Sequence, residues 1–408
     1  MDFEATTEQE EFRSTARAWL RETAPRYEVP DPDRQGILDT PEELARFKAW
    51  NRTKAEAGWA GVHWPEECGG RGLTRLHTIL YETEEERYAV PRGDYLNVGT
   101  AFAAPTLLAY ADEETQARLL PKILSAEEFW CQLFSEPVAG SDLAGIRTRA
   151  ERDGDDWVVN GQKVWTTYAQ WADWAILVAR SDFDVPKHKG LTYFYLDMKS
   201  PGIEVRPIRQ ISGASHFNEV FLTNVRIPDS QRLGEVGEGW QVALTTLMNE
   251  RLGSGFSQAQ PTWQQLFDLA RCSTLENGPA LADSAVRAQL ASWYVESRGL
   301  ELIGRRTVTR LSRGQQPGPE ASITKIVSAS KQQAMASFGL DLLANASAIS
   351  SRAGAFCQGF LDAPGNRIAG GTDEILRNIV AERVLGLPGD ERADRDLPFR
   401  AIPSGSTS

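Results

Sequence analysis

The chain has 408 residues, which is enough for two or three domains with substantial hydrophobic cores. Its 44 Lys and Arg against 56 Asp and Glu give a net charge of −12, which argues against nucleic acid or an anionic membrane as a partner. The first residues are acidic and lack the apolar segment of a signal peptide, and no apolar stretch reaches the ~18 residues of a membrane span. We therefore expect a globular protein of the cytoplasm.

Cysteine and histidine are too few and too scattered to predict a metal site or a disulfide framework. The sequence contains 4 Cys and 4 His, with no CxxC pair and no two His at ligand spacing. Zinc chemistry and a His-based catalytic triad are therefore not expected, and the cysteines are interpreted as reduced packing residues.

Residues 1–128 have the periodicity of helices. The segment EEFRSTARAWLRETAP places Ala16 and Leu20 among apolar residues on one helical face, and Pro25 should end this helix. The segments LHTILYETEEERYAV and DEETQARLLPKIL repeat the pattern. We predict an N-terminal α-helical domain over 1–128.

From residue 129 to 235 the apolar residues recur with a period of two. The segment TRAERDGDDWVVNGQKVWTT alternates in this way, and Asp153-Gly154 and Asn160-Gly161 are typical of tight hairpin turns. The segments GLTYFYLDM, GIEVRPI and NEVFLTNVRIP read as further strands. We predict a middle antiparallel β domain over 129–235.

Helical periodicity returns over 236–390, which is predicted to form a C-terminal α-helical domain. Its helices are expected near 238–257, 260–274, 283–312, 318–345 and 372–385. The last residues, 391–408, are rich in Pro, Gly and Ser and are predicted to be a flexible tail. The predicted fold class is therefore α+β multidomain, in the order helical, β, helical.

Two segments of the middle zone carry the residue types of a ligand site. FSEPVAGSDLAG (134–145) is a loop of small hydroxyl and backbone donors that suits a polar heterocycle or a pyrophosphate. GQKVWTT (161–167) places Trp165 and Thr167 on the same face of a strand. Taken singly, the first segment is explained more simply as a turn and the second as a strand with a core Trp.

A third segment, NRIAGGTDEILRN (366–378), joins two glycines to a helix start. Gly370 and Gly371 allow close backbone approach, and Thr372 can cap the helix that follows. Such an N-terminus can receive an anion or the polar edge of a ring. Alone, the segment is explained as a capped helix.

In this order, and within this layout, the motifs resemble those of the acyl-CoA dehydrogenase family, flavoproteins that desaturate acyl thioesters. The resemblance extends to FNEVFLTNVRIP, LGEVGEGWQVAL and GGTDEILRNIVAERVLG and covers residues 1 to about 390. It implies the three-domain fold of that family and FAD as the cofactor. The implied FAD-binding residues are Gln132, Leu133, Ser135, Gly140, Ser141, Trp165, Thr167, Arg271, Gly371, Thr372 and Glu374.

The sequence departs from the family pattern in the segments that contact FAD from a neighbouring subunit. LARCSTLENG provides Arg271 without the Phe that usually follows, and LDLLANASAISS replaces a glycine-rich segment. The resemblance still implies a homodimer or homotetramer.

The resemblance also implies a carboxylate that removes the α-proton while the β-hydride goes to flavin N5. Many members carry this Glu two residues before the Thr of the closing loop, where this chain has Gly370. Others carry it immediately before a helix Arg early in the third domain, which corresponds to Glu250 and Arg251 in LTTLMNERLGSG. Adjacent side chains on a helix point about 100° apart, so Arg251 need not neutralise Glu250. Glu250 is the predicted catalytic base, and Ser141, Arg251 and Gly370 are the predicted substrate contacts.

Two other carboxylates belong to these motifs. Glu374 corresponds to a cofactor-contacting residue, and Glu136 occurs in family members whose base lies elsewhere. Glu374 is therefore the rival of Glu250 for the role of base, and Glu250 is preferred.

Three functions are compatible with the sequence. The leading one is an acyl-CoA dehydrogenase that takes an acyl-CoA, or an acyl-carrier-protein thioester, and passes electrons to an electron-transfer flavoprotein. The second is a flavin-dependent N-hydroxylating monooxygenase, which Gly370 permits because that reaction needs no carboxylate base. The third is a non-catalytic partner subunit of a heteromeric dehydrogenase. Nitroalkane oxidation is disfavoured because it needs an acid at residue 370. The acyl chain and the pathway stay open.

Overall fold

The computed structural model describes residues 6–30, 36–92, 98–252, 261–315, 318–319, 321–343, 354–391 and 393–402, except the side chains of 250–252, 312 and 321. Within this part of the chain, no helix is long and apolar enough to cross a membrane. The chain divides into two compact units, named here the helical unit (1–36, 75–93 and 254–389) and the sheet unit (37–74, 94–253 and 390–408).

The α-helices occupy both ends of the sequence. In chain order they are α1 Thr7–Thr23, α2 Pro41–Glu56, α3 Arg75–Glu85, α4 Ala104–Tyr110, α5 Glu113–Leu124, α6 Gly239–Leu252, α7 Trp263–Cys272, α8 Ser284–Ser312, α9 Ala321–Leu343, α10 Gly354–Asn366 and α11 Asp373–Ile379. A π-helical segment, Gly99–Ala103, precedes α4, and another, Val380–Val384, follows α11.

The strands lie between them. They are β1 Trp130–Leu133, β2 Arg149–Asp153, β3 Asp156–Thr167, β4 Trp174–Arg180, β5 Leu191–Asp197, β6 Ile203–Ile208, β7 Phe217–Pro228 and β8 Arg232–Leu233, with the short pair β9 Thr274–Leu275 and β10 Gly278–Pro279. The main sheet has the order β6-β7-β3-β2-β4-β5-β8, and β1 pairs in parallel with β4. Apart from β1 and one parallel pair between β2 and β4, the neighbouring strands of this sheet are antiparallel.

The sheet unit buries both faces of its central strands. One core contains Trp157, Phe194 and Val220, and the opposite core contains Leu119 and Tyr193. Consequently β5 is buried along nearly its whole length, which its sequence LTYFYLD of aromatic and β-branched residues favours. The predicted 1–128 segment is divided between the units, since α1 and α3 belong to the helical unit and α2, α4 and α5 to the sheet unit.

Helix ends follow the local signals in the sequence. A capping box at Thr6 and Gln9 opens α1, and α1 ends at Thr23, two residues before Pro25, as predicted. Ala16 and Leu20 are fully buried on its inner face. The predicted helix near 372–385 is present as α11 and the π-helical segment that follows it.

Helix α10 is absent from the sequence-based prediction. Its sequence, GAFCQGFLDAPGN, contains three glycines and a proline, so its intrinsic helical propensity is low. It packs on α9 so closely that a Cβ added to Gly339 would lie 2.3 Å from Cδ1 of Phe356. Tertiary packing therefore stabilises a helix that local propensity does not indicate.

One of the two predicted hairpin turns is wrong. Gly154 adopts φ +66 in the turn between β2 and β3, which confirms Asp153-Gly154. Asn160-Gly161 instead lies within β3, where the pairing with β7 shifts register between Val159 and Gly161. A Cβ at Gly161 would lie 2.4 Å from Oγ1 of Thr148, so the glycine permits a close strand approach rather than a turn.

The prediction of a flexible tail from residue 391 is wrong for residues 393–402. Phe399 begins a short 3-10 helix, Phe399–Ala401, and is only 3% exposed. Its amide donates to the carbonyl of Val185 at 2.9 Å, and the amide of Arg400 donates to that of Phe183 at 3.0 Å. This segment therefore packs against the connection between β4 and β5.

Candidate active site

The two predicted ligand segments of the sheet unit are neighbours in the structure. The loop 134–145, named here the signature loop, follows β1, and GQKVWTT forms the end of β3. The amide of Val164 donates to the carbonyl of Ser135 at 2.9 Å, which joins the two segments directly. The structure thus brings together residues that lie almost thirty positions apart in the sequence.

A buried ion pair supports this junction. Lys163 is fully buried, and its Nζ donates to Oε1 of Glu136 at 2.8 Å, to the carbonyl of Phe134 at 3.0 Å and to that of Val178 at 2.8 Å. Glu136 also accepts from the amides of Arg147 at 2.6 Å and Thr148 at 2.9 Å. Its carboxylate is therefore fully engaged.

The environment of Glu136 keeps it ionised. Burial acts to raise the pKa of this carboxyl, but the charge of Lys163 and the donated hydrogen bonds outweigh it and lower the pKa. A carboxylate of lowered pKa with several donors is a poor proton acceptor. Glu136 is thus a structural residue, which agrees with the expectation that the base lies elsewhere.

Trp165 has an unusual conformation for a strand residue. Its backbone φ is +61, and the pairing of β3 with β7 shifts register between Lys163 and Thr166. Its side chain is 57% exposed and makes an edge contact with the ring of Phe217 at 5.9 Å. Interpreting this Trp as a core residue is therefore wrong, and the strained backbone presents an aromatic ring to the surface.

The threonines beside Trp165 differ in burial. Thr166 is 1% exposed, and its hydroxyl has no hydrogen-bond partner in the described part of the chain. Thr167 is partly exposed. Trp165 and Thr167 are thus both more accessible than the residue between them, as expected for two side chains on one face.

The other predicted cofactor residues of the sheet unit are unequally accessible. Gly140 and Ser141 are exposed, and a Cβ at Gly140 would meet no atom within 4 Å. Gln132 is partly buried, whereas Leu133 is fully buried in the core. The side chain of Leu133 therefore cannot contact a ligand, and only its backbone remains a candidate.

The predicted closing loop lies in the helical unit. Gly370 and Gly371 have φ values of +63 and +95, which L side chains rarely adopt. The hydroxyl of Thr372 accepts from the amide of Ile375 at 3.3 Å and caps α11, as the sequence predicts. The carbonyl of Gly371 accepts from Nζ of Lys325 at 2.6 Å.

A pocket of about 270 Å³ opens beside this loop. Arg367 crosses it, donating to Oδ2 of Asp373 at 2.8 Å and to Oε1 of Gln333 at 3.0 Å. The second oxygen of Asp373 is buried and has no hydrogen-bond partner among the described residues. The full lining is Gln333, Pro364, Arg367, Ile368, Thr372, Asp373 and Glu374.

Glu374 lies at this pocket but is exposed. Hydrogen bonds from its own amide and from Thr372 lower the pKa of its carboxyl. Like Glu136, it is stabilised as an acceptor of hydrogen bonds rather than as a base, which argues against this rival of Glu250.

The described structure does not place three of the predicted residues at the signature loop or at the closing loop. Arg271 is exposed at the end of α7, and its described ion pair is with Asp268 at 3.3 Å. Glu250 and Arg251 belong to the last turn of α6, and their side chains lie outside the described residues.

Sequence reasoning missed Gln333, Lys325, Arg367 and Asp373. Arg367 and Asp373 lie in the quoted NRIAGGTDEILRN segment, and their opposite charges six residues apart across two glycines were a usable signal. Gln333 and Lys325 belong to α9, and no local pattern distinguishes them from other polar residues of a long helix.

Sequence models of three domains match successive parts of the chain. They are described as acyl-CoA dehydrogenase N-terminal, middle and C-terminal domains and match residues 6–127, 131–225 and 237–385. The chain belongs to the acyl-CoA dehydrogenase family. The predicted family, fold class and enzyme class are thereby confirmed, and so is FAD, the cofactor on which this family's oxidoreductases depend.

Two curated relatives from Mycobacterium tuberculosis illustrate the similarity. Acyl-CoA dehydrogenase IpdE1 is 36% identical over 396 residues, which are 94% of this chain and 99% of that protein. Acyl-CoA dehydrogenase FadE34 is 40% identical over 336 residues, which are 82% of this chain. The match covers only 45% of FadE34, so the chain spans less than half of that relative.

Two solved structures share the fold over nearly the whole chain. The structure titled Tcur3481-Tcur3483 steroid ACAD has a TM-score of 0.78 and 28% identity, and covers 96% of this chain and 100% of that one. The ChsE4-ChsE5 complex from Mycobacterium tuberculosis has a TM-score of 0.77 and 26% identity, with the same coverage.

The residues present fit FAD as a ligand. Exposed Trp165 offers a ring to stack on, partly exposed Thr167 lies on the same face of the strand, and exposed Gly140 and Ser141 offer backbone and hydroxyl donors. In the helical unit, the left-handed glycines and the pocket beside Thr372 provide a further surface of polar groups.

Proposed function

We propose that this protein desaturates an acyl-CoA thioester between its α and β carbons, with Glu250 as the base. FAD, when bound, supplies the acceptor for the hydride that leaves the β carbon. Glu250 removes the α-proton, and Arg251 and Ser141 contact the substrate. For this step the carboxylate of Glu250 must lie within reach of the α-proton and be able to accept it.

The observation that carries the assignment of the base is Gly370. This position has no side chain and a φ of +63, so the closing loop offers no carboxylate there. Glu136 and Glu374 both have lowered pKa values and are held by hydrogen bonds. Glu250, on α6 of the sheet unit, is the motif carboxylate that these constraints leave for the role.

The proposal extends to the substrate and the partners. The similarity to a structure titled as a steroid ACAD supports a bulky, steroid-derived acyl group. An electron-transfer flavoprotein is the proposed electron acceptor, and a homodimer or homotetramer the proposed assembly.

A second candidate concerns the assembly. Two of the similar structures are titled as pairs of different proteins, Tcur3481-Tcur3483 and ChsE4-ChsE5. The chain would then act as one subunit of a heteromeric dehydrogenase. Purification of the chain alone, without bound flavin, and recovery of FAD only with a second chain would support this candidate over the homo-oligomer.

The test of the proposed reaction is anaerobic bleaching of the bound flavin. Purified protein is mixed with steroid-derived, branched and straight-chain acyl-CoA thioesters, and the absorbance of oxidised flavin is followed. We expect Glu250→Gln to slow bleaching by about 10³-fold while flavin stays bound, which is the usual size of a general-base contribution. Glu235→Gln is the matched control, because this Glu is 81% exposed shortly before α6.

Each outcome discriminates between the candidates. Bleaching that survives in Glu250→Gln would move the base elsewhere. Loss in Glu374→Gln alone, with FAD retained, would identify that residue instead. A flavin that no thioester bleaches would favour the N-hydroxylating monooxygenase, which rapid oxygen consumption with NAD(P)H or reduced flavin would then demonstrate.

A further inference from the structure

The C-terminal segment of the sheet unit is an integral part of its fold. Residues 394–402, named here the C-terminal strap, run along the connection between β4 and β5. Backbone hydrogen bonds join Phe399 to Val185 and Arg400 to Phe183, and an isolated bridge pairs Pro398 with Pro186. The strap therefore holds the β4–β5 connection through main-chain contacts as well as side chains.

A lysine connects the strap to the signature loop. Nζ of Lys187 donates to Oδ2 of Asp142, in the signature loop, at 2.9 Å and to Oδ2 of Asp394, in the strap, at 2.8 Å. Lys187 is 8% exposed, whereas the side chains of Asp142 and Asp394 are 59% and 30% exposed, so a buried cation meets two carboxylates that are open to water. One cation thus bridges two carboxylates from segments 252 residues apart in the sequence.

An arginine forms a second connection. The guanidinium of Arg180 is fully buried and donates to the carbonyl of Ala144, in the signature loop, and to that of Ile146, directly after the loop, the latter at 3.0 Å. It also donates to the carbonyl of Lys187 at 3.2 Å. The ring of Phe399 covers this guanidinium, with Cζ of Arg180 3.5 Å from the ring centroid.

These contacts have an electrostatic consequence. The described hydrogen bonds of Arg180 all go to main-chain carbonyls, and its charge is further stabilised by the nearby carboxylates of Glu136, Asp142 and Asp182 and by the aromatic face of Phe399. Without the strap, water would reach the guanidinium and Lys187 would lose one of its two carboxylates. The contacts of Arg180 and of Lys187 with the signature loop would both weaken, while the strands of the sheet stayed paired.

We propose that the C-terminal strap is a positioning element for FAD, and that Phe399 and Asp394 hold the signature loop in its cofactor-binding conformation through Arg180 and Lys187. This inference rests on the proposed function in that Gly140 and Ser141 are taken as FAD contacts. It assigns a role in cofactor affinity to a segment outside all three matched domain ranges.

The experiment measures FAD affinity and loop protection in the full chain and its point variants, and in one shortened chain. Apoprotein is prepared for wild type, Phe399→Leu, Asp394→Asn and a chain ending at Gly389, and the FAD dissociation constant is measured by fluorescence titration. Hydrogen exchange of the apoprotein follows the amides of Gly145 and Ile146, which donate to Asp142 and Leu143 within the loop. Phe399→Leu keeps apolar burial and removes the aromatic face, so it separates positioning from folding.

We expect about tenfold weaker FAD binding for Phe399→Leu and the shortened chain, as the loss of a buried cation–π contact implies. Exchange at Gly145 and Ile146 should accelerate in parallel, and the titrations are made under conditions in which urea denaturation shows each variant to be folded. Asp394→Asn should weaken binding, and Asp394→Glu should restore it. The matched control is Arg400→Gln, because Arg400 lies in the same strap and forms an exposed ion pair with Asp184. This variant should change the dissociation constant less than twofold.

Dissociation constants within twofold of wild type in both Phe399→Leu and the shortened chain would overturn the proposal. Faster loop exchange with unchanged FAD affinity would overturn it as well, because the loop conformation would then not govern binding. A wild-type protein that binds FAD but is reduced by no thioester contradicts the proposed reaction alone, and the strap is still judged by the affinities.

Discussion

Lys163 and Glu136 form a buried ion pair, with Nζ of the lysine 2.8 Å from Oε1 of the glutamate. The side chain of Lys163 is 0% exposed and that of Glu136 5% exposed. Around them, two carbonyls accept from the lysine and two amides donate to the glutamate. The pair thus joins β3 to the signature loop that carries the candidate FAD contacts.

Replacing one partner of this pair should lower the free energy of unfolding more than its share of the loss when both are replaced. Lys163→Met leaves a buried carboxylate and Glu136→Gln a buried ammonium, so each should lower the free energy of unfolding by about 3 kcal/mol or more. The double variant should lose less than the sum of the two. Urea denaturation of the single and double variants measures the coupling, and strictly additive losses would contradict a direct interaction.

A second buried carboxylate predicts acid sensitivity in the helical unit. The side chain of Glu84 is 0% exposed and accepts from Arg13 and Arg17, each at 2.9 Å, and Arg87 lies 3.2 Å away. Burial alone would raise the pKa of Glu84, but the hydrogen bonds from Arg17 and Arg13 outweigh it, so the pKa is lowered.

Because the folded-state pKa is lowered, the contribution of Glu84 to stability is present above its ordinary pKa. It is lost as the pH falls through the folded-state value. We expect Glu84→Gln to cost about 2 kcal/mol at pH 7 and much less at low pH, as charged hydrogen bonds of this kind do. Chemical denaturation at several pH values checks this, with exposed Glu114→Gln as control. A penalty that is independent of pH would contradict it.

The glycines of the two candidate segments should differ in their tolerance of a side chain. Gly371 has φ +95, and a Cβ there would lie 3.3 Å from Cδ2 of Leu376. Gly371→Ala should therefore lower the free energy of unfolding by about 1 kcal/mol or more. Gly140→Ala, where a Cβ meets nothing within 4 Å, should stay within about 0.5 kcal/mol of wild type. Equal losses in thermal denaturation would contradict the assigned conformations.

The sequence predicts most elements because their signals are local. Apolar periodicity with caps defines α1, and alternation with Asp153-Gly154 defines β2 and β3. The candidate FAD segments are recognisable in the sequence because they are short and contiguous. The hydrogen bond from the amide of Val164 to the carbonyl of Ser135 shows that two of them are neighbours in the sheet unit.

The failures involve contacts that are distant in sequence. Asn160-Gly161 has the composition of a turn, but Gly161 is needed for the approach of Thr148. The C-terminal segment looks disordered by composition, yet Phe399 covers an arginine more than 200 residues earlier, at position 180. Single-sequence patterns carry no information on such pairs, because propensity and periodicity act only within a segment.

Substitution of Trp165 should weaken FAD binding while leaving the free energy of unfolding nearly unchanged. It has a left-handed backbone and 57% exposure, so folding gains little from its side chain, and strain of this kind is typical of functional sites. Trp165→Gly relieves the strained φ and should change the free energy of unfolding by no more than about 0.5 kcal/mol. FAD affinity should fall by about tenfold, because an aromatic stacking contact is lost.

Trp157 is the matched control, since it is 3% exposed and its Nε1 donates to Asp229 at 2.7 Å. Trp157→Leu should destabilise the protein by about 3 kcal/mol, as expected for a large loss in a core, while the folded fraction keeps its affinity for FAD. Urea denaturation of the apoproteins and FAD titration together measure both effects. If Trp165→Gly unfolds as readily as Trp157→Leu, Trp165 is a structural residue. If it binds FAD as tightly as wild type, the flavin does not stack on this ring.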